Sequence, residues 1–384
     1  MSCISPSSRR ALVTAVLLPV AIAPLAYAQG LISRSYLRQE TELLVGYDSN
    51  IYGASNDTKS DGFSTLSHAM TFGRTQNSLT QLDLTGDIQG SWYFSESDAN
   101  AVDGGLRLDL AYPRDHEDVS YWEGEAFWRS ETTVERTLQD RIRRERYGLD
   151  LLGEWYASPK LIVSGGAGTL VVDRSNADYP INRRTHFNVG VGHSWIPERR
   201  WFLDYTLELG ESDPAGAVQS TDSLSHEVGL RVRGRVLPKV TANAFLGYQH
   251  SEFSGRQDFS DGGISWAADV KWEASALSSV QLKTRRAMEF SPSGFATRRS
   301  TFTLLADRSI GPAYRATFEV SPDVIRYERD SRKDEILNLR ASLRYRRTDR
   351  FYAEAEATWG TIDSNVPGRD ADQTIVAVSC GLVY

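Results

Sequence analysis

From about residue 29 onward the chain alternates apolar and polar residues with a period of two. Between Leu82 and Trp92 every even position is Leu, Ile, Trp or Gly, and every odd one is Asp, Thr, Gln or Ser. The same alternation sets Trp201, Leu203, Tyr205, Leu207 and Leu209 against Asp204, Thr206 and Glu208. It sets Ile264, Trp266, Ala268, Val270 and Trp272 against Ser265, Asp269, Lys271 and Glu273, and Leu337, Leu339, Ala341, Leu343 and Tyr345 against Asn338, Arg340, Ser342, Arg344 and Arg346. A helix would repeat every 3.6 residues; a period of two is a strand with one apolar and one polar face.

The breaks between segments alternate in kind. Tight ones fall at Arg74 to Asn77, Pro113 to Asp115, Ser158 to Lys160, Pro197 to Arg199, Leu237 to Lys239, Ala274 to Ser278, Gly311-Pro312 and Thr348 to Arg350. They recur about every forty residues, the length of a two-strand hairpin with its loop. Between them lie longer polar stretches at 48–61, 95–100, 131–141, 173–182, 211–222, 252–261, 291–297, 328–334 and 364–372. Short turns on one side and longer loops on the other mark an outer-membrane barrel. Eight turns and nine loops predict an all-β, transmembrane, antiparallel up-and-down β-barrel of about 18 strands, with 16 also compatible. Little chain remains for a second domain.

A soluble sheet of this extent would have to hide its edges, whereas closure in lipid satisfies every backbone group. Trp155, Trp195, Trp201 and Trp272 fall beside short turns, and Trp92, Trp128, Trp266 and Trp359 toward the loops, as two interfacial girdles require. Val376, Val378, Cys380, Leu382 and Tyr384 carry the alternation to a terminal aromatic, resembling the signal read by the outer-membrane barrel assembly machinery.

The first 28 residues read as a secretory signal peptide: Arg9-Arg10, a short apolar core, and Ala26-Tyr27-Ala28 as cleavage site. Residues 29–384 then form the barrel, in contact with outer-membrane lipid. Only Cys380 remains after cleavage, so no intrachain disulfide is expected. Loss of Arg9 and Arg10 takes the net charge from −7 to −9, which argues against nucleic acid as a partner.

No catalytic signature is found, no cofactor motif, and the six histidines are scattered without metal-ligand spacing. They read as interfacial or lumen histidines. Asp48-Ser49-Asn50-Ile51-Tyr52-Gly53 imitates half a calcium loop, but Tyr52 fills a ligand position and the closing Glu is missing. A strand cap by Asp48 with a bend at Gly53 accounts for it better.

Function belongs on the lumen face. Inward positions carry Arg231, Arg233 and Arg235 on one strand, Arg340, Arg344 and Arg346 on another, and Glu354 and Glu356 on the next; Glu123 and Glu125 oppose Arg107 and Asp109. These form either a paired, hydrated wall or a polar track for a hydrophilic solute. Inward Tyr93, Phe127, Tyr156, Phe202, Phe245 and Tyr352 add flat faces that could stack on sugar rings. About sixteen to eighteen strands enclose an aqueous channel.

Asp48 and Asn50 after the first strand, followed by Ser60 and Asp61 and a meander to a terminal aromatic, resemble the outer-membrane β-barrels of the "beta-barrel porin two" type. That resemblance implies a barrel for exopolysaccharide export working with a periplasmic polysaccharide-export protein. The expectation is therefore a conduit for a hydrophilic polymer in the bacterial outer membrane. A general diffusion porin is the alternative, disfavoured because the longest loop, 48–61, is short for an inward-folded constriction; a structural or adhesive barrel is the other.

Overall fold

A computed structural model describes residues 35–74, 80–113, 120–135, 140–174, 179–196, 198–213, 220–255, 258–291, 295–328 and 331–384. The expected signal peptide, His116 and the turn residues Thr75 to Asn77, Arg114, Asp115 and Pro197 lie outside the described residues. Eighteen strands follow one another: β1 Ser35–Asp48, β2 Asp61–Arg74, β3 Gln81–Tyr93, β4 Ala101–Tyr112, β5 Tyr121–Glu135, β6 Asp140–Tyr156, β7 Leu161–Arg174, β8 Ile181–Ile196 and β9 Arg199–Asp213. The second half comprises β10 Thr221–Leu237, β11 Val240–Gly255, β12 Phe259–Ser275, β13 Ser278–Phe290, β14 Ala296–Ile310, β15 Tyr314–Tyr327, β16 Lys333–Arg346, β17 Phe351–Ser364 and β18 Ala371–Val383. Every strand pairs antiparallel with its sequence neighbours, and β18 pairs with β1, so the sheet closes. The higher of the two expected strand numbers is the observed one.

An even strand number puts both ends of the barrel on the short-turn, periplasmic side. The outer face carries the apolar set read from the sequence: Leu82, Leu84, Trp201, Leu203, Ile264, Trp272, Leu343, Val376, Val378 and Leu382 are all exposed. In a bilayer that exposure is contact with hydrocarbon. Trp155, Trp195, Trp201 and Trp272 are exposed near the periplasmic ends of their strands; of the four expected toward the loops, Trp128 and Trp359 are exposed near mid-strand, and Trp92 and Trp266 are half-buried. His68 and His226 also face outward, held by Thr41 at 2.9 Å and by the Tyr205 hydroxyl at 2.7 Å.

The loops are shorter than the sequence suggests. β5 runs on to Glu135 and β6 starts at Asp140, although 131–141 reads as loop; β11 and β12 likewise extend into 252–261. Strands of 12 to 17 residues exceed the roughly 9–11 needed to span the hydrocarbon. Above the membrane both faces meet water, so alternation lapses while backbone pairing continues.

The seam between β1 and β18 shows how closure is held. Glu40 through Asp48 pair with Val383 through Ile375, and Gln39 and Tyr384 exchange backbone hydrogen bonds at 3.1 and 2.8 Å. Inside, the Tyr352 hydroxyl on β17 donates across β18 to Glu40 or Glu42 on β1, at 2.8 and 2.9 Å. The ring lies over Gly381, where any Cβ would overlap it. An inward aromatic seated on a bare glycine thus ties three strands together, and Phe202 over Gly192 repeats the seat of ring on glycine.

Gly381→Val should therefore displace the Tyr352 ring and cost about 1–3 kcal/mol, the usual range for overpacking. Heat-modifiable gel mobility should show unfolding at lower temperature, and adding Tyr352→Ala should restore part of the loss. Unchanged mobility of the single variant would contradict this account of the seam.

Candidate functional site

The lumen divides into a filled periplasmic part along one arc and a cavity in the extracellular half. Arg233 on β10 donates to the Tyr121 hydroxyl on β5 at 2.8 Å and to Glu154 on β6 at 3.0 Å. Along the sheet those partners are five and four strands away, roughly 20–24 Å at the spacing of paired strands. The wall from β5 to β10 must curl around this contact. Arg200 joins Glu154 at 3.5 Å, Arg231 pairs with Asp204 at 2.7 Å and lies over the Phe202 ring, and Ile162, Phe202 and Glu154 are buried among them.

The remaining sequence candidates fall into two groups. Arg344 meets its cross-strand partner Glu354 at 2.6 Å, and Arg340 reaches Glu356 diagonally at 2.6 Å. Arg107 bridges Asp109 and Glu125 at 2.8 and 3.1 Å. These form the face-to-face charge wall read from the alternation. Arg235 and Arg346 sit instead at the periplasmic rim, Arg235 beside Glu198 at 3.7 Å and Arg346 donating to the Asp349 carbonyl at 3.4 Å. Two inward aromatics are spent on packing: Phe202 lies under Arg231, and Tyr352 is stacked beneath Arg344 with centroid and guanidinium 4.4 Å apart.

The loop motif is structural. The buried Asp48 carboxylate accepts the Asn50 amide at 2.9 Å and the Gln373 side chain at 3.0 Å to each oxygen. Asn50 accepts from the Ala54 amide at 3.0 Å and donates to the carbonyls of Ala54 and Asp372 at 2.8 and 2.9 Å. Gly53 takes φ 64°, the left-handed turn that glycine allows. Asp61 accepts the Ser95 and Glu96 amides at 2.7 and 2.9 Å, while Ser60 is exposed. Three of the four motif residues thus bind the first extracellular loop to β18 and to the next loop. Lys59 adds a bridge to Glu96 at 3.1 Å, which holds its ammonium above the ordinary pKa. Ile51 is buried against Tyr93 and Ala99, so the loop folds inward at the mouth.

A larger inward element comes from β13 and β14. Pairing of β12 with β13 stops at Trp266 opposite Arg286, whereas β13 and β14 stay paired up to Phe290 opposite Ala296. The upper hairpin has left β12 and leans into the lumen. The Met288 amide donates to Gln249 of β11 at 2.9 Å, and Asn182 of β8 donates to the Ser291 carbonyl at 3.2 Å. Phe290 stacks edge-on against Phe253 with centroids 5.8 Å apart, over a cluster with Met288, Ala296 and Phe259. The ground for disfavouring a diffusion porin, that loop 48–61 is short for an inward-folded constriction, does not reach this element, because the segment that leans furthest inward is a strand pair and not a loop. The end of β12–β13 pairing at Arg286 and the contacts to β8 and β11 mark it, and a strand pattern in sequence carries no sign of either.

Beneath these elements lies a cavity of about 1100 Å3. Its lining includes Arg144, Arg146, Arg174, Arg184, Arg285 and Arg299, none of them among the sequence candidates. Counting alternate positions upward from the outward-facing Leu149 would have placed Arg144 and Arg146 inward. Among the described residues no group of three or more His, Cys, Asp or Glu is gathered as a metal site.

A family model described as "putative beta-barrel porin 2" matches residues 164–383. No curated protein matches. Among solved structures, the chain is similar to the FrpB iron transporter of Neisseria meningitidis, at 8% identity and TM-score 0.50 over 93% of this chain and 83% of that one. It is also similar to OccAB4 of Acinetobacter baumannii (10% identity, TM-score 0.44, 92% and 99% covered) and OccK1 of Pseudomonas aeruginosa (11%, 0.44, 91% and 99%). Likeness at this level speaks to fold alone. With its closed strand ring, lipid-facing apolar band and polar interior, the chain belongs to the family described as putative beta-barrel porin 2 and is a barrel of the bacterial outer membrane.

Proposed function

We propose that the barrel is a conduit for hydrophilic solutes of modest size. The observation that supports this most is the β13–β14 hairpin held across the mouth by Gln249 and Asn182. It narrows the opening, leaves a polar cavity beneath, and would obstruct a continuous polymer chain. The paired wall of Arg340, Arg344, Glu354 and Glu356 keeps the lumen wet at little net charge, and passage along it needs no chemical step.

Export of an exopolysaccharide with a periplasmic polysaccharide-export protein is the second reading, drawn from the family resemblance. One feature favours it. Among the described residues no strand pairs with the outer edge of β12 between Phe259 and Ser265. Continuing the register of Trp266 with Arg286 would seat Met288 opposite Ile264 and Phe290 opposite Gly262. A hairpin swung into that seat would complete the sheet and clear the mouth for a polymer.

Single-channel recording of the purified protein separates the two. A small, steadily open conductance is expected, rising about twofold when the hairpin tip is shortened, because pore area at this strand number is set by what folds inside. A wild type that is closed until the tip is removed would favour export; no change on shortening would contradict the constriction.

The charged residues should divide by position. Arg233→Gln leaves the buried Glu154 with weaker compensation, and removing a partner from a buried ion pair costs about 3–5 kcal/mol at the upper end. It should lower the temperature of gel-monitored unfolding. The triple change of Arg340, Arg344 and Arg346 to Gln should leave that temperature nearly unchanged but alter conductance; an unaltered conductance would remove this wall from the permeation path.

A further inference from the structure

We propose that the cavity binds solutes with one apolar flank, an aryl group or short alkyl chain carried on a polar body, an inference that rests on the conduit reading and names its substrate class. In two paired strands the alternation is filled on both faces: Leu43-Leu44-Val45 in β1 and Ile375-Val376-Ala377-Val378 in β18. Leu43, Val45, Val376 and Val378 are the exposed, lipid-facing members. Leu44, Ile375 and Ala377 therefore point inward, and all three line the cavity.

Register gathers them. Leu44 is the partner of Ser379 and so lies diagonally beside Ala377, whose own partner is Gly46. Gly46 has no side chain, and the Phe63 ring of β2 lies over that bare position and stacks on Tyr93 of β3 with centroids 5.5 Å apart. Aliphatic and aromatic surface thus runs across β18, β1, β2 and β3, with Leu44, Phe63 and Ile375 half-buried at the cavity wall. Closing the seam does not require it. The backbone is paired throughout from Glu40 to Asp48, and the same seam carries polar inward residues on either side, Glu42 2.9 Å from the Tyr352 hydroxyl and Asp48 held by Gln373. In a wet lumen, apolar side chains at inward positions are favoured only when something apolar covers them. A solute with one apolar flank does so while its polar groups stay in water or meet the Thr65 and Ser91 hydroxyls beside the patch, which lie 3.1 Å from each other. Removing about 55 Å2 of apolar surface from water is worth about tenfold in affinity.

Calorimetric titration of the detergent-solubilised barrel with two neutral probes, phenyl β-D-glucoside and methyl β-D-glucoside, tests this without depending on conduction or on charge. Wild type should bind the phenyl glucoside about tenfold or more tighter than the methyl glucoside. Leu44→Ser with Ile375→Ser should weaken binding of the phenyl glucoside about tenfold and leave the methyl glucoside within about twofold. Partition of the probe into detergent is common to both proteins and cancels in that comparison. Ile375→Thr, which keeps the branched shape that strands favour, should give about threefold and serves if the double variant does not assemble. Equal affinity of wild type for the two probes, or a preference that survives in the variants, overturns the proposal. Single-channel current separates it from the reading beneath it: a barrel that conducts but binds both glucosides alike refutes this inference alone, and one that prefers the phenyl glucoside but passes no current refutes the conduit.

Discussion

In hydrocarbon an unpaired backbone amide or carbonyl costs several kcal/mol, so a sheet that crosses a membrane must close on itself. Everything else in this molecule follows from that closure. It demands that β18 return to β1, that the outer face be apolar along every strand, and that the polar faces of eighteen strands share one enclosed space. The interior therefore becomes a crowd of charges, and the fold must arrange them so that the ring keeps its shape.

The molecule uses two devices for this. Inward aromatics lie on glycines of the next strand, as Phe202 does on Gly192, and Tyr352 reaches over Gly381 to carboxylates one strand further. Cross-lumen ion pairs do the rest: Arg233 draws β10 toward β5 and β6 and curls that part of the wall. Both consume residues that look, from alternation alone, like a lining available to solutes. What remains open is the upper cavity, bounded by the first loop and by a hairpin that has left its neighbour.

The architecture was legible because the period of two is imposed by lipid at every strand, and Leu82 to Trp92 reads the same in sequence and in space. Among the described residues, turn positions were legible for the same reason on the periplasmic side, where strands end at the membrane. Above it the signal fails: Thr132 and Thr133 no longer alternate by polarity with their neighbours, yet they remain in β5. Asp48 and Asn50 were identifiable as caps from residue type, but their tie to Gln373 and Asp372 depends on a chain closure some 325 positions away. The cavity arginines were hidden for a different reason. Arg144 and Arg174 belong to separate strands, and only the register makes them neighbours.

The central claim is that the β13–β14 hairpin crosses the mouth to reach β8. The most direct measurement is disulfide trapping in intact outer membranes, with Asn182→Cys and Ser291→Cys in a Cys380→Ser background. The hydrogen bond between those positions, 3.2 Å long, predicts rapid and nearly complete cross-linking under mild oxidation. Efficient trapping instead of a pair at Gly262 and Phe290, with none between 182 and 291, would place the hairpin in the outer sheet and contradict the account.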